Sequence, residues 1–342
     1  MINPIPCSHE VIKTRPQDSR SLKSTHTNQR GADFSIMHEY NKNVLPRGDK
    51  LLSISGLVDW KRFSPIGDGL YKNNTERGGR PNIDIIIMIK LLLLQEMFGL
   101  SDPQLEFQVA DRISFRVFLG TTETIPDYIV VWKFRNRLKE SGKYNDIWDE
   151  FTNQLRARGY DVNKGVIQDA SFITSDPGHS KKDVPRGDEA KTRRSSDGTW
   201  ATKGKKSNFG YKAHVKVDTE HQFIWAVETT TASLHDSQVD LAEVGEVRYG
   251  DKAYSGAKTK GYDASMKRAA RGHPLGIFDI LRNKRISKKR SPVERCFSVI
   301  KTVFRSGHVM VTTVENAAIK VMFKAIGYNL YNLHGLVNKE VV

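Results

Sequence analysis

The stretch Val166-Ile167-Gln168-Asp169-Ala170-Ser171-Phe172-Ile173 sets the fold problem. Apolar residues stand on both sides of one carboxylate, so residues 162–173 read as a strand with a charge in its middle. A buried charge is costly unless something compensates it, which makes Asp169 a candidate functional residue. Upstream, residues 51–158 read as four or five short helices. An apolar run at 83–98 is opened by Pro81 and broken by Gly99, and further caps stand at Ser101 or Asp102 with Pro103, at Pro126-Asp127 and after Gly142. Downstream the period changes. Residues 211–217 alternate Tyr, Ala, Val and Val against Lys, His and Lys, as a half-buried strand does, and 223–231 return as the second arm of a hairpin across the turn 218–222. A short helix is predicted at 236–244, a strand at 246–250 ending on Asp251, and helices at 292–304 and 315–333.

Strands mixed with helices behind an all-helical segment predict an α+β or α/β layer fold. The expected division is a poorly ordered extension at 1–36, a helical domain at 37–158, a mixed-sheet domain at 159–335 with a basic loop at 178–208, and a tail at 336–342.

The 342 residues carry 54 Lys plus Arg against 39 Asp plus Glu, a net charge of +15. Such an excess points to an anionic partner and fits poorly with a near-neutral metabolic enzyme or an acidic disordered protein. The two cysteines, Cys7 and Cys296, build neither a disulfide framework nor a cysteine zinc site, so a reducing cytoplasm is the expected setting. The run 83–98 is interrupted by Asp84, Lys90, Gln95 and Glu96 and is too short for a bilayer. Residues 1–30 lack the apolar core of a secretory signal, so no membrane partner is expected. The positive charge is concentrated: residues 282–305 hold nine Lys or Arg and one acid, Glu294, and 178–208 hold nine more. Two such surfaces fit a nucleic-acid phosphate backbone, with a solubilising disordered segment as the competing reading of the loop.

Two divalent ions a few ångström apart need carboxylates from separate elements, because hard cations take oxygen ligands. Asp169 inside one strand and Asp251 at the carboxyl end of another are so placed, although a lone Asp at a strand end is commonly a turn residue. The third acid lies in Arg290-Ser291-Pro292-Val293-Glu294-Arg295. Ser291 as N-cap, Pro292 at the first helical position and Glu294 form a capping box, which explains Glu294 without chemistry. The other reading sets Glu294 and Lys301 two turns apart on one face, as metal ligand and phosphate contact. A single acid among nine cations favours a paired or functional carboxylate.

Through these residues the chain resembles the DDE transposases of bacterial and archaeal insertion sequences, in the group named after insertion sequence five. The similarity runs from about residue 56 to residue 333. It passes through Gly79-Arg80-Pro81, Leu100-Ser101-Asp102, Ile125-Pro126-Asp127, Gln168-Asp169-Ala170-Ser171, Gly210-Tyr211-Lys212-Ala213-His214, His235-Asp236-Ser237, Gly250-Asp251-Lys252-Ala253-Tyr254 and Pro292-Val293-Glu294-Arg295. The resemblance implies an RNase H-like catalytic domain in which Asp169, Asp251 and Glu294 bind two Mg²⁺ or Mn²⁺ ions and carry out DNA cleavage and strand transfer. It implies double-stranded DNA as partner, both terminal inverted repeats and target, a homodimer that pairs two DNA ends, and a cytoplasmic, nucleoid-associated location. Arg290, Lys301 and Lys252 are the candidates for binding phosphates. His214 and Asp236 are candidates for supporting the acids, against the plain alternatives of a surface strand histidine and a helix N-cap. The helical domain, with Arg77, Arg80, Arg135 and Arg137, is the expected reader of the repeats. The family's signature of Tyr, Arg, Glu and Lys around the glutamate is met by Arg290, Glu294 and Lys301, with Ser287 in place of the tyrosine. An RNase H-like nuclease or resolvase, and a non-catalytic DNA-binding derivative, are the alternatives.

Overall fold

Side chains that accept orphan backbone N–H groups set most of the helix starts in the first half of the chain. The computed structural model describes residues 37–71, 82–120, 125–178, 194–305 and 307–340. The helices are α1 (Lys50–Ser55), α2 (Ile85–Phe98), α3 (Asp102–Asp111), α4 (Ile113–Leu119), α5 (Tyr128–Ser141) and α6 (Tyr144–Ala157). Asp49, Asp84 and Asp127 cap α1, α2 and α5 by accepting from Leu51 N, Ile86 N and Val130 N, each at 2.8 Å. Ser101 and Gln104 form the capping box of α3. The cap of α2 is Asp84, a stronger acceptor than the Pro81 start read from sequence; Pro81 itself lies outside the described residues, as do 1–36, Arg77 and Arg80.

The second half builds one sheet from β1 (Val166–Thr174), β2 (Thr199–Lys203), β3 (Lys206–Asp218), β4 (Ile224–Thr231), β5 (Val247–Tyr249) and β6 (Tyr262–Asp263). The order is β2-β3-β1-β5-β6, with β4 also on β3. β1 and β3 run antiparallel from Val166 opposite Asp218 to Thr174 opposite Gly210. Their approach is closest at Gly210, φ +138°, where a Cβ would fall 2.4 Å from Ile173 O. β5 lies parallel on the other edge of β1, and β6 parallel on β5. Antiparallel strands continued by parallel ones behind a helical first half form the RNase H-like arrangement.

Four expectations need correction. Part of the basic segment 178–208 is a hairpin: β2 pairs with Lys206–Gly210 across a turn at Gly204, and Trp200 packs on Phe209 with ring centroids 5.3 Å apart. Residues 179–193, with Lys181, Lys182, Arg186, Lys191 and Arg193, lie outside the described residues. The helix predicted at 236–244 is only the single turn Asp236–Gln238. The helix predicted to begin at Pro292 belongs to α7 (Ile277–Ser298), which runs through it and passes into a π turn, Val299–Val303. Pro292 cannot donate to Lys288 O; the Ser291 hydroxyl donates to that carbonyl instead, at 3.1 Å. Ser291 is therefore inside the helix and caps nothing. The final helix, α8 (Val314–Glu340), includes residues expected to be a tail.

α8 unites the two halves. Its Ile319, Met322, Phe323, Ile326 and Leu330 lie in one core with Leu92 and Met97 of α2 and with Val215, Val217 and Ile224 of the sheet. The close crossing is at Gly327, where a Cβ would stand 2.8 Å from Met97 Cγ. Glu96, 3% exposed, bonds Lys320 Nζ at 2.5 Å and Lys324 Nζ at 3.1 Å. Beside it Arg135 bonds Asp102 and Gln95, so this arginine is a buried brace and not the exposed DNA reader expected of it. No helix among the described residues is long and apolar enough to cross a membrane.

Burial alone raises the Glu96 carboxyl, but Lys320 and Lys324 outweigh it and hold the group below its ordinary 4.5. Glu96→Gln leaves two inward lysines unpaired and is expected to cost about 3 kcal/mol at neutral pH in denaturant unfolding. A carboxylate held low contributes in full above its ordinary value and loses its contribution as pH falls below it, so the deficit of the variant shrinks in acid. Glu294→Gln is expected to change stability by about 0.5 kcal/mol or less in the same measurement, because Glu294 is exposed and caps no helix.

Candidate active site

The parallel pairing of β1 with β5 sets Val166 beside Arg248 and Ile167 beside Tyr249. Extending that register two residues brings Asp251 beside Asp169, at the carboxyl edge of β5 where its pairing stops. Side chains alternate along a strand. Asp169 therefore shares a face with Ile167, Ser171 and Ile173, and this face is covered by Phe297 of α7, Ile300 of the π turn, and Val321 and Ala325 of α8. Asp251 Oδ1 accepts from Ala253 N at 2.7 Å, capping the turn Lys252–Tyr254.

α7 lies across this edge. Its inward stripe is Asn283, Ile286, Arg290 and Val293, at helical spacing. Arg290 Nη2 donates to Asp169 Oδ2 at 2.9 Å, with both side chains mostly buried, and Arg290 Nε is buried without a hydrogen-bond partner. Glu294 stands one turn further along and is exposed. The π turn widens the helix after Ser298, closed by Phe304 N on Val299 O at 3.1 Å, and swings Lys301 toward Ser171 and Ile173. Lys252 is exposed beside Asp251.

Arg290 thus joins α7 to Asp169, β5 leads from its pairing with β1 toward Asp251, and Glu294 is exposed one turn beyond Arg290. No three Asp, Glu, His or Cys side chains among the described residues stand close enough to hold one ion. Asp169, Asp251 and Glu294 are all carboxylates, the oxygen ligands that a hard cation takes, and one oxygen of Asp169 is engaged by Arg290.

The two supporting candidates lie elsewhere. His214 pairs with Ala170 and so projects from the opposite face of the sheet to Asp169. It is fully buried, with Nε2 2.9 Å from Thr230 Oγ1. Burial lowers its pKa to about 4 against a partial counter-effect from Asp236, so the ring is neutral. Asp236 accepts from Lys212 Nζ at 2.8 Å. The Tyr254 hydroxyl, missed in the sequence, is buried. Burial first, then the carboxylates of Asp169, Asp236 and Asp251, push it far above its ordinary value and keep it protonated. Its signal was its place three residues after Asp251.

Known proteins resemble the chain in both of its halves. Residues 39–137 match the family described as Transposase domain (DUF772), and residues 163–330 match the Transposase DDE domain. A relative, the transposase for insertion sequence element IS1106 of Neisseria meningitidis serogroup B, is 23% identical over 218 residues, which is 58% of this chain and 75% of the relative. No solved structure matches. The two family matches follow one another over most of the chain, the second taking in Asp169, Asp251 and Glu294, and the chain belongs to the DDE transposases of insertion sequences.

Proposed function

We propose that this transposase binds the terminal inverted repeats of its element and catalyses divalent-metal-dependent DNA cleavage and strand transfer at Asp169, Asp251 and Glu294. The observation that supports the reading is the ion pair of Arg290 on α7 with Asp169 of β1, beside the parallel strand β5 that ends two residues before Asp251. The three carboxylates would hold two Mg²⁺ or Mn²⁺ ions, which would supply activation of a nucleophilic oxygen and charge stabilisation at phosphorus. Arg290, held against Asp169, offers a planar fork to a phosphate, and Lys301 and Lys252 offer point charges. Tyr254, kept protonated by burial and by the charges of Asp169, Asp236 and Asp251, is a donor that can orient a carboxylate without adding charge. Neutral His214 and the Lys212–Asp236 pair support β3 from behind the site. Two DNA ends are processed together, so the working form is a homodimer on double-stranded DNA, repeats and target alike.

A labelled duplex carrying the inverted repeats that flank the gene tests the reading. The expected products are Mg²⁺-dependent nicks followed by joined strands. Asp169→Asn, Asp251→Asn and Glu294→Gln should each lower nicking by more than about 100-fold while leaving the gel shift intact. Retained nicking in Asp169→Asn overturns the triad. Nicks without joining identify a nuclease or resolvase, and binding without nicks identifies a DNA-binding derivative.

A further inference from the structure

Helix α7 carries a second surface, on the side away from the sheet. The face opposite its inward stripe runs Ile277, Phe278, Leu281, Lys284, Arg285 and Lys288, all exposed. Phe278 is 88% exposed and Ile277 76%, with Ile280 and Leu281 about half so. One face thus passes from apolar to cationic within four turns. The apolar end is fixed in place. Lys267 Nζ bonds Asp279 Oδ1 at 2.7 Å, Arg282 Nη1 bonds Ser265 O at 2.7 Å, and the Asn283 amide pairs with both Lys267 N and Lys267 O. Four large apolar side chains are presented to water by an anchored helix, with no described element covering them.

Charge decides what covers them. Residues 267–289 hold eight Lys or Arg and a single acid, Asp279, which Lys267 already pairs. A second copy docking symmetrically would press this cationic surface against itself. A polyanion satisfies both halves of the face: its phosphates meet Lys284, Arg285 and Lys288, and its only large apolar groups are the bases. We propose that this face of α7 binds duplex DNA with Phe278 inserted between adjacent base pairs, Ile277 and Leu281 packed beside it, and the three cations on neighbouring phosphates. From Phe278 to Lys288 the helix rises about 15 Å, roughly four base-pair steps. The inference rests on the DNA-binding reading above, and its test separates the two.

The full-length protein is titrated with the terminal-repeat duplex carrying 2-aminopurine at successive positions. Binding should raise the fluorescence at one step. Phe278→Ser should weaken binding about tenfold and abolish that rise, with the slope of log affinity against log salt unchanged, because a wedge releases no counterions. The double variant Lys284→Ala/Arg285→Ala should keep the rise and reduce the slope by about two. Phe278 is almost wholly exposed, so thermal unfolding of the variants should match the parent. Wild-type affinity and fluorescence in Phe278→Ser overturn the inference while leaving DNA binding standing. A parent dimer that Phe278→Ser splits, with DNA affinity unchanged, also overturns it and assigns the face to a second copy. Absence of any binding by the parent overturns the DNA reading as a whole.

Discussion

Glu96 is a carboxylate taken out of water at the end of one helix and held by two lysines of another, Lys320 and Lys324. Breaking either side of such a cluster leaves an unpaired inward charge, so α2 and α8 have one permitted register. Apolar packing around Met97 and Gly327 then fills the crossing. Since α8 also covers the face of the sheet from which Asp169 projects, the register at Glu96 fixes where the helical half stands relative to the acids. The two family matches are separate in sequence yet share one core. The helical half is consequently held at a set position with respect to the sheet edge that bears Asp169.

The sheet is polar inside on its other face. Lys212, His214, Lys216 and Asp218 succeed one another along β3, all buried, and Gln168 of β1 joins them. His214 pairs with Thr230 of β4 and Asp218 accepts from backbone N–H groups of the turn after β3, while the other partners come from the segment that follows β4: Lys212 on Asp236 and Leu234 O, Lys216 on Glu243 and Glu246, Gln168 on Val239 O and Leu241 N. Arg248, fully buried, takes Asp240 and Asp263. This explains why residues 236–244 are not helical. A helix there would have turned their carbonyls inward on themselves, whereas an irregular chain can give carbonyls and carboxylates to the buried cations.

The sequence was legible where a signal was local and had one physical meaning. The carboxylate among apolar residues at Asp169 and the caps at Ser101 and Asp127 stand where they were read, and the strand read at 246–250 is present but stops at Tyr249, two residues before Asp251. It misled where a local signal has two solutions. Ser291-Pro292 with Glu294 spells a helix start, but a serine hydroxyl on Lys288 O also lets a helix run through proline, and only tertiary packing of α7 selects between them. Alternating lysines in β3 spell a half-wet strand, yet Lys212 and Lys216 are buried because their counter-charges arrive from some 25 residues away. Arg135 looked like a DNA contact for the same reason: its partner Asp102 is distant in sequence. Long-range charge pairing has no period for a pattern to detect.

That pairing also locates the net charge. Lys320, Lys324, Arg135, Lys212, Lys216 and Arg248 are buried against Glu96, Asp102, Asp236, Glu243, Glu246, Asp240 and Asp263, so the interior is close to balanced and adds little to the outward field. Among the described residues the positive excess then lies mainly at exposed positions, and Lys284, Arg285, Lys288 and Lys289 of α7 place part of it along one helix. Arg290 is the residue at which the two populations meet. It follows directly on the exposed lysines in sequence but turns inward to Asp169, as the inner cations do. One helix therefore presents positive charge outward over two turns and, at the next residue, spends one cation on Asp169, the acid inside β1. Outward charge and inward acid are held in fixed relation by the same backbone.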